Sequence, residues 1–142
     1  MGIEQSDVFV ILKPPAQWTT ARTREGLVGA YQIVLLVEDA AGYRNLCELV
    51  TRAIFDGLHY RPRIDLALLR KHHEGLLCLT SGEHGAIRRA GGNEERIAPL
   101  GAIFGADRLF CEMMDQGLDW QPDHHAEVRR VAAAHGLATI VS

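Results

Sequence analysis

Three side chains able to act as acids, bases or metal ligands follow apolar segments that resemble strands. Glu83 and His84 follow the apolar run at 75–82, and Asp115 follows the run at 108–114. A carboxylate and an imidazole can exchange protons or bind a divalent metal. We therefore take Glu83, His84 and Asp115 as candidate catalytic residues. The favoured alternative is an ordinary solvated turn at each strand end.

Other titratable groups give weaker signals. Glu112 and Asp115 are three residues apart, which places them on opposite faces of a strand unless the strand ends between them. The histidine pairs at 72–73 and 124–125 are sequence neighbours, so their side chains diverge by about 100° on a helix. Neither pair can chelate one metal as an i, i+4 pair would, and we interpret all four as solvated helix-surface residues.

Glycine and cysteine patterns indicate no cofactor site. The stretch "SGEHG" lacks the spacing and the lysine of a phosphate-binding loop. Cys47, Cys78 and Cys111 are widely spaced, and each lies among apolar neighbours. We expect three buried, reduced thiols in a cytoplasmic protein.

The length of 142 residues fits a single domain spanning 1–142. With 47% hydrophobic residues, 23% charged residues and a net charge of -3, the chain has no basic surface typical of direct nucleic-acid binding. No apolar run is long enough for a membrane span, and the first residues do not resemble a secretory signal.

The elements that must position the candidate residues alternate along the chain. Strands are predicted at 7–13, 33–39, 75–82, 108–114 and 137–142, and helices at 19–32, 40–57, 65–73, 84–90, 93–104 and 121–136. This order predicts an α/β fold with a mostly parallel sheet. Parallel strands would gather 38–39, 81–83 and 115–116 at one edge, where ligands bind.

The helix predicted at 40–57 is amphipathic. Its proposed apolar face comprises Tyr43, Leu46, Leu49, Val50 and Ala53. The last predicted strand ends at Ser142 with no helix or cap after it, so we expect a truncated domain.

Residues 33–142 contain motifs of a known family. The motifs are "LLVEDAAGYRNLCELVTRA", "YRPRID", "HHEGLLCLTSG", "FGADRLFCEMMDQGL" and "HGLATIVS". In order and spacing they resemble part of the PHP (polymerase and histidinol phosphatase) domain of bacterial DNA polymerase III α subunits. The resemblance implies a partial, PHP-barrel-like α/β fold.

Residues 1–32 resemble a different family. The run "EQSDVFVILKP", followed by a tryptophan and a Thr-Arg-Glu helix, is similar to a porter-domain segment of heavy-metal efflux pumps of the resistance–nodulation–division class. The competing interpretation is that Gly2-Ile3-Glu4 corresponds to a Gly-x-Glu of the PHP family. We expect a chimera, natural or engineered, joined near residue 32, in which the two pieces form one βαβ unit.

The PHP resemblance implies descent from phosphoesterases that hold metal ions, Mn or Zn if any. Gly82 stands where the family has a ligating cysteine, and Gln116 stands where it has a histidine. The early His-x-His motif has no counterpart, and the later Asn-Asp-x-His would fall beyond Ser142. Glu4 is the remaining weak candidate for a metal ligand, so no intact metal site is expected.

Three functions follow from these observations. The first is a non-catalytic PHP-like scaffold without a cofactor. The second is a metal-dependent phosphoesterase with a reduced ligand set around Glu83, His84 and Asp115. The third is a self-associating interaction module, because unpaired strand edges and apolar faces are most simply covered in a homodimer.

Overall fold

The computed structural model of the chain describes residues 8–12, 31–56, 63–89 and 91–141, and for 8–12 only the backbone. These ranges contain the strands β1 (Val8–Leu12), β2 (Tyr31–Val37), β3 (Arg63–Ile64), β4 (Leu76–Leu79), β5 (Leu109–Met113) and β6 (Ala138–Val141). They also contain the helices α1 (Ala40–Phe55), α2 (Leu66–Lys71), α3 (Glu94–Phe104) and α4 (Gln121–His135). Most of the helix predicted at 19–32 lies outside the described residues.

The described strands form one mixed sheet in the order β3-β1-β2-β4-β5-β6. The pairs β1·β3, β4·β5 and β5·β6 are parallel, whereas β1·β2 and β2·β4 are antiparallel. The segment from β4 to β6 alternates strand and helix with parallel strands, as the sequence predicts. The predicted α/β class with a mostly parallel sheet is confirmed.

The antiparallel setting of β2 overturns two expectations. β1 and β2 are adjacent antiparallel strands, so the predicted parallel βαβ unit across residue 32 is wrong. Tyr31 and Gln32, which we assigned to the preceding helix, belong to β2. Because β2 runs against β4, Glu38 lies at the amino end of β4, where its backbone N–H donates to Gly75 O at 2.8 Å. Residues 38–39 are therefore at the opposite edge from 81–83.

The hydrophobic core lies on one face of the sheet. Alternate residues of β2, β4 and β5 point to this core face. They are Tyr31, Ile33, Leu35, Leu76, Cys78, Leu109 and Cys111, and all are buried. Each of the four helices adds buried apolar side chains to the same cluster. The helices therefore cover the core face and position the loops at the strand ends.

Helix α1 begins where two backbones meet closely. The Asp39 carboxylate caps the helix by accepting a hydrogen bond from Gly42 N at 2.8 Å. A Cβ on Gly42 would lie 1.9 Å from Gly75 O, so the contact between α1 and the turn before β4 requires glycine at this position. Leu46, Leu49 and Ala53 are buried as predicted.

Four other sequence predictions are wrong. In α1, Tyr43 and Val50 are exposed rather than part of the buried face. Cys47 is exposed, while Cys78 and Cys111 are buried. Burial raises the pKa of the Cys111 thiol to about 11. Residues 84–89 form turns and an isolated bridge instead of a helix, because hydrogen bonds to neighbouring segments replace the helical ones. The two-residue strand β3 lies in a segment that we interpreted as a polar connection.

Among the helices of the described ranges, none combines the length and apolar composition needed to cross a lipid bilayer.

Candidate functional site

The carboxyl ends of β4, β5 and β6 meet at one edge of the sheet because these strands are parallel. Residues 80–89, which we call the β4 loop, leave this edge after β4. Residues 114–120 leave it after β5 and lead into α4. The first residues of β2 lie at the same edge, since Gln32 forms an isolated bridge with Gly85.

Backbone hydrogen bonds connect the β4 loop to itself and to β2. Ala86 N donates to Thr80 O at 3.0 Å, and Gln32 N donates to His84 O at 2.8 Å. Ser81 has φ 65°, a left-handed conformation that is uncommon for residues other than glycine. At Gly85 an added Cβ would lie 2.0 Å from Thr80 O. Such strained and crowded positions cluster at functional sites in proteins.

Buried Asn93 ties the β4 loop to two helices. Its Oδ1 accepts hydrogen bonds from Arg88 N at 2.9 Å and from Arg96 Nη2 at 2.7 Å. Its Nδ2 donates to Arg88 O at 3.2 Å and to Glu127 Oε2 at 3.1 Å. The arginine end of the loop is thus fixed against α3 and α4.

An open cavity of about 510 Å³ lies over the β4 loop, and we call it the loop cavity. Glu83, His84, Arg88 and Arg89 line it. The Arg89 guanidinium stacks over the Trp120 ring, 5.2 Å from the ring centroid. Two arginines and one glutamate therefore lie around the loop cavity of a chain whose net charge is -3.

His124 packs against Trp120, the ring on which Arg89 stacks, and is buried, with 3% of its surface exposed. Its Nε2 makes no hydrogen bond within the described part of the chain. Burial lowers the pKa of His124, and His125 and Arg89 lower it further, while Glu83 acts in the opposite direction. The expectation of a solvated His124 is therefore wrong, because the N-terminal turn of α4 packs this ring inward against Trp120 at 5.6 Å.

Asp115 does not share the loop cavity. It lines a second cavity of about 500 Å³, together with Asp119, Gln121 and His125. The Asp115 Oδ1 accepts a hydrogen bond from Gly117 N at 3.1 Å. The structure therefore brings Glu83 and His84 together at one cavity and places Asp115 at another.

Glu112 does not pair with Asp115 either. Glu112 lies on the sheet face opposite the core face and is buried, whereas Asp115 is exposed. The Glu112 backbone N–H donates to the Thr80 Oγ1 at 3.0 Å, which joins β5 to the start of the β4 loop.

Metal-ligating side chains are scattered within the described ranges. No group of three or more His, Cys, Asp or Glu residues in them could hold a metal ion. Gly82 has no ligating side chain, and Gln116 is exposed, with its backbone N donating to Gln121 Oε1 at 2.8 Å. Glu4, the remaining candidate, lies outside the described residues.

Sequence reasoning missed Arg88, Arg89 and Trp120 as parts of this site. Both arginines lie in the stretch 84–90, which the sequence pattern predicts as a short helix. A useful signal is that both follow a buried strand within ten residues, on a stretch containing Ser81-Gly82 and Gly85. Trp120 could not be linked to them, because the contact spans two loops.

Comparison with known proteins gives a family. The sequence profile described as "PHP domain" matches residues 4–116. This range crosses the predicted junction at residue 32 and includes most of the segment that we compared with efflux pumps. None of the relatives below is an efflux pump.

The relatives are DNA polymerase III α subunits. The chain is 34% identical over 118 residues to the DNA polymerase III subunit alpha of Treponema pallidum, which covers 79% of the chain. It is 31% identical over 128 residues to that of Deinococcus radiodurans (86% of the chain) and 36% identical over 126 residues to that of Thermus aquaticus (83%). The chain spans about a tenth of the length of each of these relatives, since each match covers 10% of the relative.

Proposed function

Because the chain belongs to the PHP domain family, we propose that it is a non-catalytic, scaffolding PHP segment related to the DNA polymerase III α subunit. The separation of the candidate residues carries this proposal. Glu83 and His84 line one cavity, and Asp115 lines another, so the three do not converge on one reacting atom. A metal-activated water needs several ligands around one point.

A cytoplasmic location is part of the same proposal. Cys47, Cys78 and Cys111 are all free thiols, which is typical of proteins from reducing compartments.

Thermal unfolding with and without metal tests the scaffold proposal. After chelator treatment, we expect one cooperative transition whose midpoint does not change on addition of Mn²⁺ or Zn²⁺. A ligand that binds only the folded state must raise the midpoint. A clear metal-dependent rise that a Glu4→Gln variant loses would contradict the proposal and locate a ligand in the first residues.

A reduced-ligand phosphoesterase is the second candidate function. The shared position of Glu83 and His84 at the loop cavity favours it, because an acid and a base at one cavity are the minimum for proton transfer. Hydrolysis of p-nitrophenyl phosphate in the presence of Mn²⁺ is the direct assay. Turnover that is lost in Glu83→Gln and in His84→Ala would support this function, and turnover that both variants retain would exclude these two residues as its source.

The chimeric origin remains a separate proposal, on which two features bear. The family match continues from residue 4 across residue 32, and β1 pairs with β2 over five residue pairs. Both features favour a single PHP segment over two joined fragments. A chain lacking residues 1–30 tests this. Loss of cooperative unfolding would show that the first piece is integral, and an unchanged transition would support an appended segment.

Self-association is the third element of the proposal. Of the six large hydrophobic residues exposed in the described ranges, Tyr43, Val50, Ile54 and Phe55 lie on α1. Strand β6 is at the edge of the sheet, and Val141 is 72% exposed. A homodimer would bury such surfaces.

A further inference from the structure

We propose that two copies of the chain associate through their α1 helices, which pack antiparallel across a two-fold axis. The contact surface is a row of four exposed side chains, Tyr43, Cys47, Val50 and Ile54, which we call the α1 stripe. The inference rests on the self-association proposed above, and it names the surface, its occupant and the orientation of that occupant.

The spacing of the α1 stripe is the first observation. Its members follow one another at intervals of four, three and four residues, so they form one row along the helix. The buried row of α1, which includes Leu46, Leu49 and Ala53, lies about a quarter of a turn away and already packs on the core. An apolar row with this spacing is the kind of surface through which two helices pack side by side.

The order of the side chains within the α1 stripe selects a second copy as the occupant. A two-fold axis through the middle of the stripe places Tyr43 of one copy opposite Ile54 of the other. The same axis places Cys47 opposite Val50. All four positions of each copy then meet an uncharged side chain of the other, so no charged group is taken out of water along the stripe.

The residues beside the α1 stripe fit the same arrangement. Arg44 and Phe55 lie on the solvent side of the stripe, and both are exposed. The two-fold axis brings Phe55 of one copy level with Arg44 of the other, where a guanidinium and its aliphatic stem can cover the ring. The ion pairs of Arg52 with Glu48 and Asp56 lie on the side of α1 away from the stripe and stay in water.

Cross-linking through Cys47 tests the proposal on the unmodified full chain. Cys47 is exposed, whereas Cys78 and Cys111 are buried, so a bismaleimide reacts at one position per chain. In the proposed dimer the two Cys47 thiols lie close to the two-fold axis, between helix axes that are about 8–10 Å apart. We expect a bismaleimide of about that length to convert most of the chain to a covalent dimer, and Cys47→Ser to give none.

The control moves the thiol to the other side of α1. Cys47→Ser/Arg52→Cys carries its exposed thiol on the same helix but away from the α1 stripe, and the surface ion pairs that it removes contribute little to stability. We expect it to give less than about a tenth of the covalent dimer formed through Cys47. Equal yields from the two positions would overturn the proposal, because they would show cross-linking by random collision.

A mixture of two charged variants tests which side chains meet. Tyr43→Glu and Ile54→Lys each bury two unpaired charges in their own homodimer, which should weaken it at least tenfold. In the equimolar mixture the two new charges face each other, and the second Tyr43–Ile54 contact is retained. We expect sedimentation equilibrium to show a mixed dimer at least threefold tighter than either homodimer. No gain in the mixture would overturn the antiparallel pairing, and a folding defect cannot imitate a gain.

The results separate a failure of this pairing from a failure of self-association. A dimer by light scattering that Cys47 does not cross-link would overturn the α1 pairing and leave a homodimer through another surface. A monomer at every concentration would overturn both proposals.

Discussion

Asn93 uses the whole hydrogen-bonding capacity of its side-chain amide. Two donors reach its oxygen and its nitrogen reaches two acceptors, all within a buried position. Polar groups buried without partners are costly, so a side chain that satisfies several of them at once stabilises its surroundings strongly. The arginine end of the β4 loop depends on this one residue more than on any local helix propensity.

Replacement of Asn93 by alanine should therefore destabilise the protein by about 2–4 kcal/mol, because it leaves Arg88 N, Arg88 O and Glu127 with fewer partners. Urea unfolding measures the change. Asn45→Ala is the control, since the Nδ2 of Asn45 donates to Glu74 O at 2.8 Å in an exposed contact, and it should cost about 1 kcal/mol or less. Equal losses in the two variants would contradict the assigned role.

His124 should make stability depend on pH. Because its folded-state pKa is lowered, the unfolded chain takes up a proton at a higher pH than the folded chain. Its contribution to stability is present above the unfolded pKa of about 6.5 and is lost as the pH falls below it. Glu83, Arg89, His125 and Glu127 act on the same ring, and burial is the largest cause.

In His124→Phe, which fills the site with a ring that does not titrate, the loss of unfolding free energy between pH 7 and pH 5 should be smaller than in the unmodified chain. Denaturant unfolding at several pH values measures it. Parallel curves for His124→Phe and the unmodified chain would show that His124 does not titrate on unfolding.

At Gly42, where α1 meets the turn before β4, there is no room for a side chain. In Gly42→Ala the new methyl group meets the Gly75 carbonyl, so we expect a loss of about 1–3 kcal/mol. Gly101 in α3 is the matched control, since a Cβ there has open space around it. Gly101→Ala should stabilise the protein by about 0.5–1 kcal/mol through the lower entropy of its unfolded chain. Thermal melts of both variants would show opposite shifts, and a neutral Gly42→Ala would disprove the close approach.

Sequence patterns predicted the elements whose local signals are strong. They failed where an element's orientation depends on contacts with distant segments of the chain. The apolar runs that form β2, β4 and β5 follow from local chemistry. The orientation of β2 does not, since it depends on pairing with β1 and β4. The reversal of β2 moved Glu38 to the other edge, where it pairs with Arg108.

The candidate site was predicted in part for the same reason. Glu83 and His84 directly follow a predicted strand, so their position in the sequence is enough to place them in the loop after it. The contribution of Trp120 and of buried His124 depends on how α4 packs against the β4 loop. The sequence pattern placed His124 on a helix surface and gave Trp120 no role. Asp115 is at the predicted edge but faces another cavity, because the turn after β5 directs it toward Asp119 and His125.

Within the described part of the chain, α1 carries exposed apolar side chains on a second face beside its buried one. Ile54 is 47% exposed and Phe55 is 80% exposed, which is costly for a monomer in water.

We expect light scattering after size exclusion to give twice the 15.7 kDa of the chain. The double variant Ile54→Lys/Phe55→Lys should elute as a monomer with unchanged secondary structure. Leu118→Lys, which places the same charge on an exposed leucine away from α1, should remain dimeric. A monomer at all concentrations of the unmodified chain would exclude the homodimer, and dissociation by Leu118→Lys alone would place the interface at the loop before α4.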